Sequence, residues 1–365
     1  MLPIYSAMID NKTLNIEWIN EVSAKNRNVD KILVEKVIRA LYLVEGLSKA
    51  DLDFVFKGGT ALMLLMDSSK RLSIDIDIIL HDDSVNLEEI FEKIIQQQSF
   101  TKFELHERNA KSIIEKSHYK FYYKPIYKTH SEEEYILLDI LFEKPNYQSI
   151  IELPIKSKFL ITNEKELVVQ VPSPEDILGD KLTAFAPNTT GIPYFKSDHS
   201  MSMEIMKQLY DIGNLVDISK NLKVVIETFK IFSETELSYR KKGDLNHEDV
   251  IEDIFQTSLC IVSRGADGKG DFGELQAGIQ RVSRFIFSES FHIDKAITMA
   301  SKAAYIAISI RYNIDKLEIF NDPLQMKEWS INDPIWPRLN RLKKSNPEAF
   351  FYWYKIHEII QENIG

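Results

Sequence analysis

The chain has 365 residues, a formal net charge of −10 at pH 7 and a single cysteine, Cys260. One cysteine excludes an internal disulfide, and the negative charge argues against steering of the whole molecule towards nucleic acid, without excluding a local basic groove. With 44% apolar and 27% charged residues, the composition is that of a globular protein, and the length favours two domains.

No targeting or membrane segment is predicted. The amino-terminal residues lack the basic stretch and long apolar run of a signal peptide. No segment contains the ~18 consecutive apolar residues that would cross a bilayer. We therefore expect a cytoplasmic protein that has no membrane partner.

The first predicted elements surround a pair of glycines. Apolar residues at helical spacing predict a helix over residues 29–47, and residues 54–56 are typical of a short buried strand. Gly58 and Gly59 follow this strand and precede an apolar helix predicted over residues 61–66. A glycine turn between a strand and a helix allows backbone N–H groups to approach a phosphate, which the positive helix N-terminus also favours.

Two aspartates lie in the next predicted strand, over residues 74–79. Side chains two residues apart in a strand share a face, so Asp75 and Asp77 are expected side by side. Two close carboxylates repel each other unless a proton or a cation intervenes, and Mg²⁺ binds through one or two carboxylates plus substrate phosphates. With a hydroxyl from Thr60 at the glycine turn, the stretch predicts phosphoryl or nucleotidyl transfer. The alternative is a structural turn beside an exposed strand face.

This pattern resembles the signature of the nucleotidyltransferase superfamily, in which two small residues, a short helix and a carboxylate-x-carboxylate strand follow one another. Two longer sequence segments, from Lys57 to Thr60 and from Arg71 to Asp77, are similar to those of the AbiEii/AbiGii-type abortive-infection toxins of type IV toxin–antitoxin systems. The resemblance implies transfer of a nucleotide from an NTP by a bacterial toxin that acts in phage defence. It also implies a cognate antitoxin and an RNA acceptor such as the tRNA 3′ end.

The candidate nucleotide-binding residues surround the glycines and the loop before the acidic strand. They are Lys57, Gly58, Gly59, Thr60, Arg71 and Ser73. The glycines and the threonine are assigned to the β- and γ-phosphates. Arg71 and Ser73 could contact phosphate, or they could order the loop.

Further along the chain, the hydrophobic period predicts a helix over residues 86–98 and then several strands. The predicted strands cover residues 103–107, 118–127, 135–143, 159–161 and 167–171. After Pro172, helical spacing predicts helices over residues 174–186, 201–216, 222–237, 247–263, 274–288, 293–312 and 347–363. The predicted fold is therefore α+β. A small nucleotidyltransferase-like mixed-sheet domain, with an N-terminal helix, covers residues 1–172, and an all-helical domain that closes the active-site cleft covers residues 173–365.

Asp139 lies inside the uniformly apolar strand 136–142, where a lone carboxylate is costly unless it is paired or bound to a metal. The superfamily implies a third carboxylate on a neighbouring strand, and Asp139 matches that place. Its role there would be to bind the metal or to deprotonate the attacking hydroxyl. The alternatives are an edge-strand aspartate that faces water, and Glu143 as a weaker candidate for the third carboxylate.

Two residues of the helical domain are candidates for catalysis. Lys181 projects from the apolar stripe of its helix, where it could reach NTP phosphates or extend outward from the rim of the stripe. The sequence around Lys181 resembles the lysine-leucine motif of the AbiEii-type family. The arginine that commonly follows this motif in the family is missing here, and Lys196 is a possible replacement for it. Asp211 resembles the late catalytic aspartate of that family. From its own surroundings it could equally be a surface residue paired with Lys207.

The complete hypothesis is a Mg²⁺-dependent nucleotidyltransferase in which Asp75, Asp77 and Asp139 hold the metal and Lys181 and Asp211 assist catalysis. One alternative is an enzyme that transfers a nucleotide to a small molecule such as an aminoglycoside antibiotic. The other is a non-catalytic nucleotide-binding interaction protein.

Overall fold

The structure is a computed structural model, and it describes residues 8–50, 52–66, 70–81, 84–106, 116–163, 167–332 and 336–364. The chain divides into two compact units. The first comprises Met1–Pro145, Ser149–Pro172 and Phe285–Glu289, and the second comprises Asn146–Gln148, Ser173–Arg284 and Ser290–Gly365. Within the described ranges, none of the helices combines the length and the apolar character needed to cross a bilayer.

In its described residues, the first unit contains a mixed β-sheet and four α-helices. The helices are α1 (Ile16–Lys25), α2 (Lys31–Lys49), α3 (Gly58–Leu65) and α4 (Leu87–Gln97). The strands are β1 (Phe54–Lys57), β2 (Ile76–Leu80), β3 (Lys102–Leu105), β4 (Lys116–Tyr123), β5 (Glu134–Phe142), β6 (Ile150–Pro154) and β7 (Val168–Pro172). Their order across the sheet is β3-β4-β5-β2-β1-β7-β6, in which β5 and β7 run parallel to their neighbours β2 and β1.

Apolar and polar side chains alternate along the central strands, so the sheet has one buried face and one polar face. Ile76 and Ile78 of β2 and Leu138 and Ile140 of β5 are at most 1% exposed and join a core with the apolar side of α2. Burying such a side chain contributes about 1.5–3 kcal/mol, and a slip of one residue would bring the aspartates into the core. The hydrophobic pattern therefore holds the register that places the carboxylates on the other face.

The strand predicted over residues 159–161 is wrong. These residues form a turn in which Leu160 N–H donates to Ser157 O, while the Trp18 indole donates to Phe159 O at 2.8 Å. Phe159 is fully buried in the core, so its apolar character reflects burial and not a strand. The antiparallel partner of β7 is instead β6, in which Ile151 pairs with Val171.

The second unit is built mainly of helices. These are α5 (Pro174–Ala184), α6 (Ser202–Ile218), α7 (Lys223–Tyr239), α8 (His247–Val262), α9 (Phe272–Val282), α10 (Ile293–Arg311), α11 (Leu342–Ser345) and α12 (Pro347–Ile364). A hairpin of two short strands, β8 (Phe195–Lys196) and β9 (His199–Ser200), means that the unit is not entirely helical. The prediction of an α+β fold with a mixed sheet followed by a helical region is confirmed.

Residues 285–289 leave the helical region and join the first unit. The helix predicted over residues 274–288 ends at Val282. Beyond it, Phe285 O accepts a hydrogen bond from Leu72 N–H at 2.9 Å, and the Ser288 hydroxyl donates to Lys70 O at 3.0 Å. The loop before β2 is thus held by a segment more than two hundred residues later in the chain.

Candidate active site

The glycine turn lies directly against one of the predicted carboxylates. Gly58 is the first residue of α3 and has a φ of +79°, a conformation that strongly favours glycine. A Cβ atom at this position would lie 2.1 Å from Asp77 Oδ2, closer than any real contact. Glycine is therefore required twice, once for the backbone conformation and once to leave room for the carboxylate.

The second glycine lies against the loop that precedes β2. A Cβ atom on Gly59 would lie 2.5 Å from Ser73 Oγ and 2.9 Å from Arg71 Nη2. The Arg71 guanidinium also donates to Leu72 O at 3.1 Å and is only 7% exposed. The predicted nucleotide-binding residues of the two segments therefore adjoin one another at the N-terminus of α3.

Thr60 is completely buried, and its hydroxyl donates to Asp75 O at 2.6 Å. This bond ties the first turn of α3 to the residue just before β2. Asp75 itself is exposed and lies outside the strand, which begins at Ile76 and not at the predicted residue 74. The hydroxyl of Thr60 therefore fixes the position of the acidic segment.

Asp77 and Asp139 are direct cross-strand neighbours. They are Cα partners on the parallel strands β2 and β5, which are about 4.8 Å apart in a regular sheet. Lys57 is opposite Asp77 on β1, and His118 is opposite Asp139 on β4. Partners in register share a face of the sheet, so these four residues form one polar row across four strands.

His118 holds one oxygen of Asp139. The two side chains are 14% and 28% exposed, and His118 Nδ1 lies 2.6 Å from Asp139 Oδ1. Sequence analysis missed this residue. The alternating pattern of residues 116–123 predicts which face His118 occupies, but only the strand pairing shows that it is opposite an aspartate.

Asp77 and Asp139 meet the requirements of a magnesium site. Asp77 and Asp139 offer hard carboxylate oxygens at adjacent positions, and Gly58 keeps the space beside Asp77 Oδ2 free of a side chain. Mg²⁺ usually takes one or two protein carboxylates and completes its shell with substrate phosphates and water, so this pair fits it. Over the described ranges, no group of three or more Asp, Glu, His or Cys side chains is arranged to hold a metal.

In the second unit, the two predicted catalytic residues form an ion pair with each other. Lys181 Nζ of α5 lies 2.8 Å from Asp211 Oδ2 of α6, and their side chains are 9% and 5% exposed. Lys181 also donates to Gln208 Oε1 at 3.0 Å. Asp211 is thus buried beside the lysine and is not a surface residue. Lys196, considered as a replacement for the missing arginine, is an exposed residue of β8.

The geometry at the glycine turn makes a specific prediction for Gly58→Ala. The methyl group would displace the Asp77 carboxylate, and a misplacement of about 1 Å can cost 10²-fold in rate. We expect nucleotide transfer to fall about 10²-fold, measured as the initial rate with saturating NTP. Gly243→Ala is the matched control, because a Cβ atom there meets nothing within 4 Å. Equal rates for the two variants would contradict this account of the turn.

His118 is expected to act as a positioning residue for Asp139. Replacing it with Leu removes the bond to Asp139 Oδ1, and loss of such a supporting partner typically costs 10–100-fold in activity. His118→Asn retains a donor near the position of Nδ1 and should recover most of the rate. We expect kcat to fall in the Leu variant while KM for the NTP stays unchanged. A similar loss in the Asn and Leu variants would instead indicate a general effect on folding.

Comparison with known proteins was made with a protein-family model, curated proteins and solved structures. The model of the family described as "Nucleotidyl transferase AbiEii toxin, Type IV TA system" matches residues 39–271, more than half of the chain. No curated protein matches the chain.

Three solved structures share 16–17% identity with the chain. JHP933 from Helicobacter pylori is 16% identical, and the match covers 77% of this chain and 91% of that one, with a TM-score of 0.40. A candidate nucleotidyltransferase from H. pylori is 17% identical, with coverages of 79% and 97% and a TM-score of 0.41. An antigenic nucleotidyltransferase-like protein from Paracoccidioides brasiliensis is 17% identical, with coverages of 59% and 92% and a TM-score of 0.36.

These structural scores are low, so the assignment depends on the family match. That match includes the glycine turn, the acidic strands and the Lys181–Asp211 pair. Membership of a type IV toxin–antitoxin family carries with it a nucleotide substrate and an antitoxin partner. The chain belongs to the AbiEii family of nucleotidyltransferase toxins.

Proposed function

We propose that this nucleotidyltransferase uses Mg²⁺ and an NTP to transfer a nucleoside monophosphate to a hydroxyl at the 3′ end of an RNA such as tRNA. The observation that carries the proposal is the position of Asp77, which lies beside Asp139 and against the glycine turn. A backbone turn suited to phosphate thus lies beside two carboxylates suited to a metal ion, which supports the proposal. Modification of tRNA would stop translation in the host cell, which is consistent with a toxin that acts in phage defence.

The residues of the first unit have separate tasks in this reaction. The N–H groups at the start of α3, with Gly58 and Gly59 leaving the backbone accessible, receive the β- and γ-phosphates. Lys57, Arg71 and Ser73 add donors and positive charge around the triphosphate. Asp77, with Asp75 or Asp139, would hold the metal, and magnesium would supply charge neutralisation on the phosphates when bound.

The chemical step is attack by the acceptor hydroxyl at the α-phosphorus. Asp139 accepts the proton of that hydroxyl, and His118 fixes the carboxylate while it does so. A bond forms between the hydroxyl oxygen and the α-phosphorus, the bond to the bridging oxygen breaks, and pyrophosphate leaves. On the family resemblance, Lys181 stabilises negative charge on the phosphates and Asp211 holds its ammonium group.

The proposal is tested by incubating the full chain with Mg²⁺, each α-labelled NTP in turn, and one of three acceptors. These are total tRNA, the same tRNA after periodate oxidation of its terminal diol, and an aminoglycoside. We expect one NTP to label intact tRNA only, and the label to disappear with EDTA. Label on the aminoglycoside would instead identify an antibiotic-modifying enzyme. Undiminished labelling of oxidised tRNA would show that the 3′ hydroxyls are not the acceptor.

A further inference from the structure

The three strands at one side of the sheet carry exposed and half-buried tyrosines and lysines on one face. Alternation in β3, β4 and β5 places Phe103, Phe121 and Ile136 towards the core, where Phe121 and Phe103 pack on Phe91 with ring centroids 5.0 and 5.3 Å away. The residues between them occupy the opposite face. We call this surface the Tyr–Lys face, and it comprises Lys102, Lys116, Lys120, Tyr122 and Tyr135.

The two tyrosines form a paired platform. Tyr122 and Tyr135 are Cα partners on β4 and β5, their ring centroids are 5.8 Å apart, and Tyr135 is 41% exposed. Lys102 Nζ lies 4.5 Å from the centroid of the Tyr122 ring, and Lys120 Nζ lies 4.6 Å from that of Tyr135. Adjacent rings, one exposed and one half-buried, that are flanked by cations suit nucleobases and phosphates.

The charge of this region differs from that of the chain as a whole. Four lysines, namely the three of the Tyr–Lys face and Lys36, are accompanied by three glutamates, Glu104, Glu133 and Glu134. The glutamates pair with Lys102 or Lys36, while Lys116 and Lys120 flank His118 along β4. Asp139 lies on the same face, so lysines and carboxylates balance here, whereas the chain as a whole has a net charge of −10, and a polyanion meets less repulsion at this face than the net charge implies.

The Tyr–Lys face leads directly to the carboxylate assigned to the acceptor hydroxyl. Along β5, Tyr135 and Asp139 share a face and are four residues apart, which corresponds to about 13 Å. Along β4, Tyr122, Lys120 and His118 accompany them in register. About 13 Å is the length of roughly four stacked nucleotides, at about 3.4 Å each. A strand whose terminal hydroxyl reached Asp139 would place its next few bases over the tyrosines.

We propose that the Tyr–Lys face binds the single-stranded 3′ end of the RNA acceptor, with bases stacked on Tyr122 and Tyr135 and phosphates contacted by Lys116 and Lys120. The direction of the strand on this face depends on the proposed function, because that function assigns Asp139 to the acceptor hydroxyl. Binding itself does not require catalysis, so the two can fail separately.

The test measures binding of a short fluorescent single-stranded RNA to the full chain by anisotropy, without NTP. A stacked base is typically worth about 10-fold or more in affinity, so Tyr122→Ala and Tyr135→Ala should each weaken binding about 10-fold. The matched variants Tyr122→Phe and Tyr135→Phe keep the ring and should bind nearly as well as the wild-type chain. Lys120→Gln should reduce the slope of log K against log salt by about 1. Phe195→Ala, which removes an exposed ring of the second unit, is the control for nonspecific effects.

Several outcomes would overturn the inference. They include equal affinity of the wild type and the Tyr122→Ala/Tyr135→Ala double variant, and equal losses in the Ala and Phe variants. Unchanged RNA binding combined with failure of the antitoxin to neutralise the double variant would assign the face to a protein partner instead. An inactive Asp77→Asn variant that binds RNA normally would leave the inference standing, and RNA binding by a chain that transfers no nucleotide would refute only the proposed function.

Discussion

Replacing Asp77 with Asn is expected to lower the rate of nucleotide transfer by about 10³-fold or more. The Asp77 carboxylate adjoins the glycine turn, its residue is the cross-strand partner of Asp139, and Asn keeps its shape while removing its charge. A metal ligand of this kind contributes several kcal/mol to transition-state stabilisation, and about 4 kcal/mol corresponds to 10³-fold. The measurement is single-turnover transfer with saturating NTP, Mg²⁺ and RNA.

The control for this variant is Asp53→Asn, which removes an exposed carboxylate next to β1 in the same unit. It should leave the rate unchanged. Binding of a fluorescent NTP with and without Mg²⁺ separates loss of metal from loss of nucleotide. We expect Asp77→Asn to bind the free nucleotide normally but to lose the gain in affinity that Mg²⁺ confers. Transfer above a tenth of the wild-type rate would exclude Asp77 as the principal metal ligand.

The buried Lys181–Asp211 pair should affect stability as strongly as activity. Lys181→Met leaves the Asp211 carboxylate buried without its cation, which typically costs about 3–5 kcal/mol. Removing both charges together, as Lys181→Met/Asp211→Leu, should recover most of that loss because no uncompensated charge remains. We expect transfer activity to stay low in the double variant, because the family resemblance assigns both groups to catalysis.

Stability is measured by urea unfolding, followed by tryptophan fluorescence. Trp329, Trp336 and Trp353 belong to the second unit, so most of the signal reports on the unit that contains the pair. Arg264→Met is the control, because its pair with Asp294 lies in the same unit, the two side chains are 57% and 60% exposed, and such pairs contribute at most about 1 kcal/mol. Recovery of transfer in the double variant would show that the pair has only a structural role.

The sequence predicted the structure best where the hydrophobic pattern of a single segment determines its secondary structure. The two-residue alternation around Ile76 and Ile78 correctly predicts a strand with a buried face, and the helical stripes give the order of the helices. Apolar content is ambiguous in short segments, which explains the wrong strand at residues 159–161. Phe159 lies in a turn, but its side chain is buried, and a buried turn can have the same apolar composition as a buried strand.

Features that depend on pairing between distant segments could not be derived in this way. The positions of Asp139 and His118 relative to Asp77 follow from the order and register of three strands, and neither is encoded in the period of any one of them. Asp211 was equally ambiguous, because the stripe on α6 does not show that α5 covers its polar side with Lys181. Resemblance to a family indicated Asp139 and Asp211 but not His118, and the strand and helix pairings explain how all three are held.

The hydrogen bonds between residues 285–288 and the loop at 70–72 have a consequence for synthesis of the protein. Arg71 and Ser73 adjoin the glycine turn, so the loop that carries them acquires its final support only when the ribosome has translated beyond residue 288. A nascent or prematurely terminated polypeptide would contain every acidic residue of the sheet but lack this tether. The loop beside the glycine turn would therefore be completed only long after the strands that carry Asp77 and Asp139 have been translated.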